Sequence, residues 1–123
     1  MTKTPKISEA DLRQFAGGTE HYYRHPLNRK IMFTDGVKYI PDEAGAYWFV
    51  DLIALAQHHR QDLKNQPFQV WVLAVLPDHS ATITVEDGNY NLVFKQQIPW
   101  TDFPAEGVTV WFAGDVIYLP VEH

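Results

Sequence analysis

The stretch from Phe68 to Leu76 constrains this chain more than any other. It is apolar at every position except Gln69, rich in β-branched and aromatic residues, and bounded by Pro67 and Pro77. Side chains alternate across a strand, so Phe68 and Trp71 fall on opposite faces and both faces are apolar. That is the pattern of a central strand covered on two sides. Pro77-Asp78-His79-Ser80 then turns the chain into Ala81 to Glu86. Here Ala81, Ile83 and Val85 point inward, and Thr82, Thr84 and Glu86 point outward. Asp87-Gly88-Asn89 turns it again, and Leu92, Phe94, Gln96 and Ile98 share a face of the next run. After the loop Thr101-Asp102-Phe103-Pro104 come Val108, Val110 and Phe112, a turn at Gly114-Asp115, and Val116 to Leu119. These five runs read as a meander of adjacent antiparallel strands.

Upstream of Phe68 the signals change. Ser8 with Asp11 resembles a capping box and opens a short N-terminal helix, Glu9 to Ala16, whose stripe is Leu12, Phe15 and Ala16. Gly17-Gly18 ends it. Asp35-Gly36 lies between Ile31-Met32-Phe33-Thr34 and Val37-Lys38-Tyr39-Ile40, which predicts a tight β-hairpin stopped by Pro41. Asp42 is a suitable N-cap for a main α-helix from about Glu43 to Asp62. Its first half, Ala46 to Ala56, is apolar almost all round, and Gln57 to Asn65 is polar, so the helix starts buried and ends in solvent. The expected fold is therefore α+β. An antiparallel sheet, made of a meander of about five strands plus a β-hairpin, packs against one main α-helix beside a short N-terminal helix. At 123 residues the chain is expected to form a single domain spanning 1–123.

Composition removes several functions. There is no Cys, which excludes a disulfide framework, a thiol nucleophile and Cys-ligated metal. The only serines are Ser8 and Ser80, neither in a nucleophile elbow, and Gly17-Gly18 lacks the residues of a phosphate loop. Ten basic residues face fifteen acidic ones for a net charge of −5, and the basic cluster is confined to Arg24, Arg29 and Lys30, so direct nucleic-acid binding is disfavoured. Met1 to Ile7 is polar with no apolar run behind it, and Ala44 to Ala56 is short and broken by Asp51. Neither a signal peptide nor a membrane span is expected, and the expected location is cytoplasmic.

The residues with most chemical content lie in Glu20-His21-Tyr22-Tyr23-Arg24-His25. In a helix, His21 and His25 would share a face, but Tyr22 stands where a metalloprotease carries Glu, and Pro26 disfavours a helical His25. No metal, no cofactor and no catalytic set is therefore assigned; Glu20 would be the natural third donor if a metal were held. Asp51 interrupts an apolar stretch, so its carboxylate must be paired or placed at an opening. Arg24, Arg29 and a Tyr hydroxyl are the candidate partners. The aromatic set Tyr22, Tyr23, Phe33, Tyr39, Tyr47, Trp48 and Phe49 builds either core or pocket. Glu20, His21, Tyr23, His25, Trp48 and Asp51 are thus the candidate ligand- or partner-binding residues. Trp71 and Trp111, on strands with two apolar faces, are the candidate interface of a homodimer.

Leu12-Arg13-Gln14-Phe15, Gly18-Thr19-Glu20, Tyr22-Tyr23-Arg24-His25-Pro26-Leu27, Tyr39, Ala44-Gly45-Ala46-Tyr47-Trp48, Phe68-Gln69-Val70-Trp71 and Glu86-Asp87-Gly88-Asn89 form a pattern. It resembles a family of small bacterial proteins classed as a domain of unknown function and often carried on plasmids and other mobile elements. The resemblance implies a bacterial, cytoplasmic protein, accessory to mobile DNA, and assigns no catalytic residue. Two function classes follow. One is a non-catalytic binding or protein-interaction module that engages a protein partner or a second copy of itself. The other is a small-molecule-binding domain or minor enzyme using the Glu20–His25 loop with Asp51.

Overall fold

The computed structural model describes residues 18, 21–44, 47–60, 63, 66–89, 91–101, 103 and 107–122. Seven strands form one sheet: β1 (Tyr22–Arg24), β2 (Met32–Thr34), β3 (Phe68–Val75), β4 (Ala81–Glu86), β5 (Leu92–Ile98), β6 (Val108–Ala113) and β7 (Val116–Tyr118). Two helices, α1 (Asp35–Ala44) and α2 (Tyr47–His59), separate β2 from β3, and a 3-10 turn, Pro120–Glu122, follows β7. The spatial order is β1-β2-β7-β6-β3-β4-β5. All neighbours are antiparallel except β2 and β7, which run parallel through Met32↔Val116 and Phe33↔Ile117.

This strand-dominated mixed sheet overturns the α+β expectation of an antiparallel five-strand meander plus a hairpin packed on one main helix. The meander fails at β6, which pairs with β3 rather than with β5. Apolar burial decides the order. On β6, Val108, Val110 and Phe112 are buried and demand an interior position, whereas Lys95, Gln96 and Gln97 of β5 are exposed and suit an edge.

The hairpin fails at Asp35-Gly36, where a helix begins. Thr34 ends β2 and caps α1: its Oγ1 accepts the Val37 amide at 3.3 Å. Asp35 is an acid in the first turn, and Glu122 closes on the same helix end. The Glu122 carboxylate accepts the Thr34 hydroxyl at 2.6 Å, the Gly36 amide at 3.3 Å and the Leu119 amide at 2.8 Å. A Cβ at Gly36 would stand 2.6 Å from Leu119 Cδ1 and 2.8 Å from Glu122 Oε1. Glycine is thus needed for close approach of the C-terminal turn and not for a hairpin. Val37, read as strand, is a buried helical residue. Pro41 lies inside α1, and the single main helix is replaced by α1 and the separate α2. The short N-terminal helix at Glu9 to Ala16 lies outside the described residues.

One cluster of buried side chains unites the elements. It includes Phe49, Val50, Ile53 and Ala54 of α2, Trp71 and Leu73 of β3, Ile83 and Val85 of β4, and Val110 and Phe112 of β6. Along β3 the residues Gln69, Trp71, Leu73 and Val75 face this cluster, while Phe68, Val70 and Val72 take the other face. Trp111 lies on that second face, edge-on to Phe68 at 5.4 Å and to Tyr118 at 5.9 Å.

Candidate functional site

The segment that looked most like a site is extended, not helical. As β1, it sends alternate residues to one side, and His21, Tyr23 and His25 meet the helices in turn. His25 is 1% exposed. Its Nδ1 accepts the Leu27 amide at 3.1 Å and the Asn28 amide at 3.2 Å. An acceptor at Nδ1 assigns the proton to Nε2, which donates to Asp51 Oδ1 at 2.7 Å. The loop is closed by His25 N–H to the Ile31 carbonyl at 2.9 Å, and tied to α2 by Asn28 Nδ2 to the Ala54 carbonyl at 2.8 Å.

Both ring nitrogens of His25 are therefore engaged within the fold. It acts as a peg between the β1–β2 loop and α2. The Asp51 side chain, 41% exposed, is held at the rim of this contact. Arg24, a candidate partner of Asp51, instead donates from Nη1 to the Arg29 carbonyl.

A second group forms around Asp35, which sequence reasoning had assigned to a turn. Its carboxylate accepts the Tyr23 hydroxyl at 3.0 Å and the His21 amide at 3.2 Å, with the His21 ring 3.6 Å away. Tyr23 stacks on Phe33 at 5.7 Å. The structure thus brings His25 to Asp51, and His21 and Tyr23 to Asp35, in two separate contacts. Trp48 is half-buried against the core, edge-on to Phe49. Glu20 lies outside the described residues. Among the described residues no group of three or more His, Asp or Glu could hold a metal ion.

Sequence reasoning also missed Gln69. It is fully buried and exchanges two amide bonds with Gln57 of α2, at 2.7 and 2.9 Å. It further donates to the carbonyls of Leu63 and Gln66, and its Oε1 accepts the Trp71 indole N–H at 2.9 Å. Trp71, a candidate interface residue, is fully buried by this network and the core around it. The signal was present, since Gln69 is the single polar residue in the apolar run.

Two surface features complete the picture. A cleft of about 620 Å³ opens where the β1–β2 loop, the chain after α2 and the β6–β7 turn meet, with Lys30, Gln66, Phe112 and Asp115 on its walls. At the lateral edge of the sheet, β5 is flanked by two exposed apolar side chains, Leu92 at 58% and Trp100 at 62%. Trp100 packs on His79 at 5.7 Å, and the loop beneath it is pinned by Thr101 N–H to the His79 carbonyl at 2.8 Å. His79 holds φ at 69°, a left-handed conformation that a side chain rarely adopts.

Shifted acidities occur away from these contacts. A hydrogen bond from the Ser80 hydroxyl, with its amide, holds the Asp78 carboxyl below the usual range; the Asn91 side chain, then backbone amides, does so for Asp87. Burial pushes the Tyr118 phenol up.

The geometry defines a small mixed-sheet protein in which His25–Asp51 and Tyr23–Asp35 tie β1 and its loop to the helices, and whose described surface includes the β5 edge and a cleft. The chain belongs to the family described as "Family of unknown function (DUF6876)", which it matches over residues 6–123. No curated protein and no solved structure matches it. No helix among the described residues is long and apolar enough to cross a membrane.

Proposed function

We propose that the protein is a non-catalytic interaction module that associates with a second copy of itself through the outer edge of β5. The observation that carries this reading is the placement of Leu92 and Trp100. β5 is the last strand of the sheet and spans seven residues, against three for β1 at the opposite edge. A long edge strand offers unpaired main-chain groups as a template for another strand. Two-fold antiparallel pairing sets the start of one β5 beside the end of the other. Leu92 stands at the start and Trp100 just past the end, so the pairing buries both, twice over.

Lys95 selects the register. Pairing centred on Lys95 would oppose two ammonium groups. Pairing centred on Gln96 sets Lys95 against Gln97 of the partner subunit and Phe94 against Ile98 of the partner subunit, so that apolar meets apolar. Trp100 suits an interface because it is a large, rigid side chain on a pinned loop, and little freedom is lost on binding. The expected homodimer thus uses β5 and not Trp71. An accessory role on mobile DNA belongs with this reading as a protein-mediated role, since the acidic balance disfavours direct contact with phosphates.

Sedimentation equilibrium from about 1 to 100 µM tests the proposal. The wild type should show a dimer in that range, and Leu92→Glu and Trp100→Glu should each give a monomer with an unchanged circular dichroism spectrum. A wild type that stays monomeric throughout, or a dimer that survives both substitutions, overturns it.

A further inference from the structure

We infer that the cleft beside the β6–β7 turn is a binding site for a small zwitterion with an apolar body, such as a free amino acid or a short peptide. Its volume of about 620 Å³ is that of a small-molecule pocket. Its lining combines opposite charges with apolar residues: Lys30 from the β1–β2 loop, Asp115 from the β6–β7 turn, and the largely buried Ile31, Leu63 and Phe112. Lys30 and Asp115 make no ion pair with each other. Two opposite charges that line one cleft without neutralising each other are complementary to a ligand carrying both a carboxylate and an ammonium group.

The positions are fixed from outside the cleft. Asp115 holds φ at 63°, and its carbonyl accepts the Met32 amide at 2.9 Å, which joins the turn to β2. Asn28 and Ile31, joined by a 2.9 Å main-chain bond, hold the loop that carries Lys30. The Gln57–Gln69 pair fixes one wall, and its buried amides are engaged with each other. Gln66 also lines the cleft and offers a further polar contact for the ligand. The positive φ of Gly114 and Asp115 is that of the two central residues of a tight hairpin turn between Ala113 and Val116, which sets the backbone carrying Asp115.

Three probes separate the charges: L-phenylalanine carries both, N-acetyl-L-phenylalanine lacks the ammonium, and phenethylamine lacks the carboxylate. Amide chemical-shift titration of the full chain at up to about 10 mM ligand should move the signals of Lys30, Gln66, Phe112 and Asp115 with L-phenylalanine. Each half-analogue should bind about tenfold more weakly, the effect of one charge-assisted hydrogen bond. Lys30→Gln should weaken L-phenylalanine about tenfold while leaving phenethylamine unchanged. Asp115→Asn, a residue that tolerates left-handed backbone, should weaken L-phenylalanine while leaving the N-acetyl analogue unchanged. Absence of any shift with L-phenylalanine, or equal shifts with all three probes, overturns the inference. The cleft and the β5 edge share no residue, so loss of the dimer in Leu92→Glu leaves this test intact.

Discussion

Replacing His25 tests whether the most catalytic-looking pair in the molecule is a structural peg. In His25→Ala, the amides of Leu27 and Asn28 lose their acceptor, and Asp51 loses its donor. Each unsatisfied donor costs about 1–3 kcal/mol, near the lower end here because the bonds are only partly buried. Loss of the buried ring adds about 1–2 kcal/mol of apolar and packing contribution. The total, about 3–5 kcal/mol, is a large share of the roughly 5–15 kcal/mol that holds a domain together. His25→Asn should be milder. An Asn side-chain oxygen readily accepts amides two and three residues on, as Nδ1 does here, so the two donors stay satisfied and the cost falls to about 1–2 kcal/mol. Asp51→Asn keeps an oxygen opposite Nε2, and its half-exposed position limits the loss to about 1 kcal/mol or less. Urea unfolding followed by circular dichroism reads the three midpoints at constant slope. The expected order of destabilisation is His25→Ala, then His25→Asn, then Asp51→Asn. The reasoning fails if His25→Asn is as damaging as His25→Ala, or if Asp51→Asn costs the most.

Three further outcomes are expected. Gly36→Ala, which in an ordinary helix would stabilise by about 1 kcal/mol, should destabilise here, and the effect should shrink when Glu122→Ala is already present; additive losses in the double variant argue against the clasp. Gln69→Leu should cost about 3 kcal/mol or more by orphaning the Trp71 indole N–H and the Leu63 carbonyl, which thermal melts would register; a neutral result would show that water replaces the network. Asp87, its carboxyl held below the usual range chiefly by Asn91, stabilises its turn above the ordinary carboxylate range and loses that contribution as pH falls through its lowered value. Carbon-detected NMR titration should find Asp87 ionised to lower pH in the wild type than in Asn91→Ala, and coincident midpoints would contradict the assigned cause.

What the residues revealed in advance follows from which physical signal dominates each element. β3, β4 and β6 were legible because their alternation or continuous apolarity is set by burial, which is strong and local in sequence. The order of strands was not, because β6 chooses β3 over β5 through a comparison of apolar content between distant segments. Asp35-Gly36 misled because the same two residues serve a hairpin turn and the first turn of a helix. What distinguishes the two uses is Glu122, some eighty-six residues away in sequence, packed where a Cβ at Gly36 would sit. At the candidate site, the need of Asp51 for a partner was readable from its apolar surroundings. The partner itself was not: the sequence points to Arg24, Arg29 or a Tyr hydroxyl, whereas the extended β1 sends His25, from the loop grouped with Asp51 in the small-molecule reading, to α2.

Five of the polar ties among the described residues share a direction. His25 with Asp51, Asn28 with the Ala54 carbonyl, Tyr23 with Asp35, Glu122 with Thr34 and Gly36, and Gln57 with Gln69 all fasten a helix or its start to a strand, a strand loop or the C-terminal turn. Each of these contacts gives the donor it involves a partner within the fold. Other surface features lie outside these ties: the main-chain edge of β5 with Leu92 and Trp100, and the two charges, Lys30 and Asp115, that line the cleft without pairing to each other. The ties of the helical side fix the β1–β2 loop and the C-terminal turn against α1 and α2, and the Asn28–Ala54 tie in particular sets the position of the loop that carries Lys30.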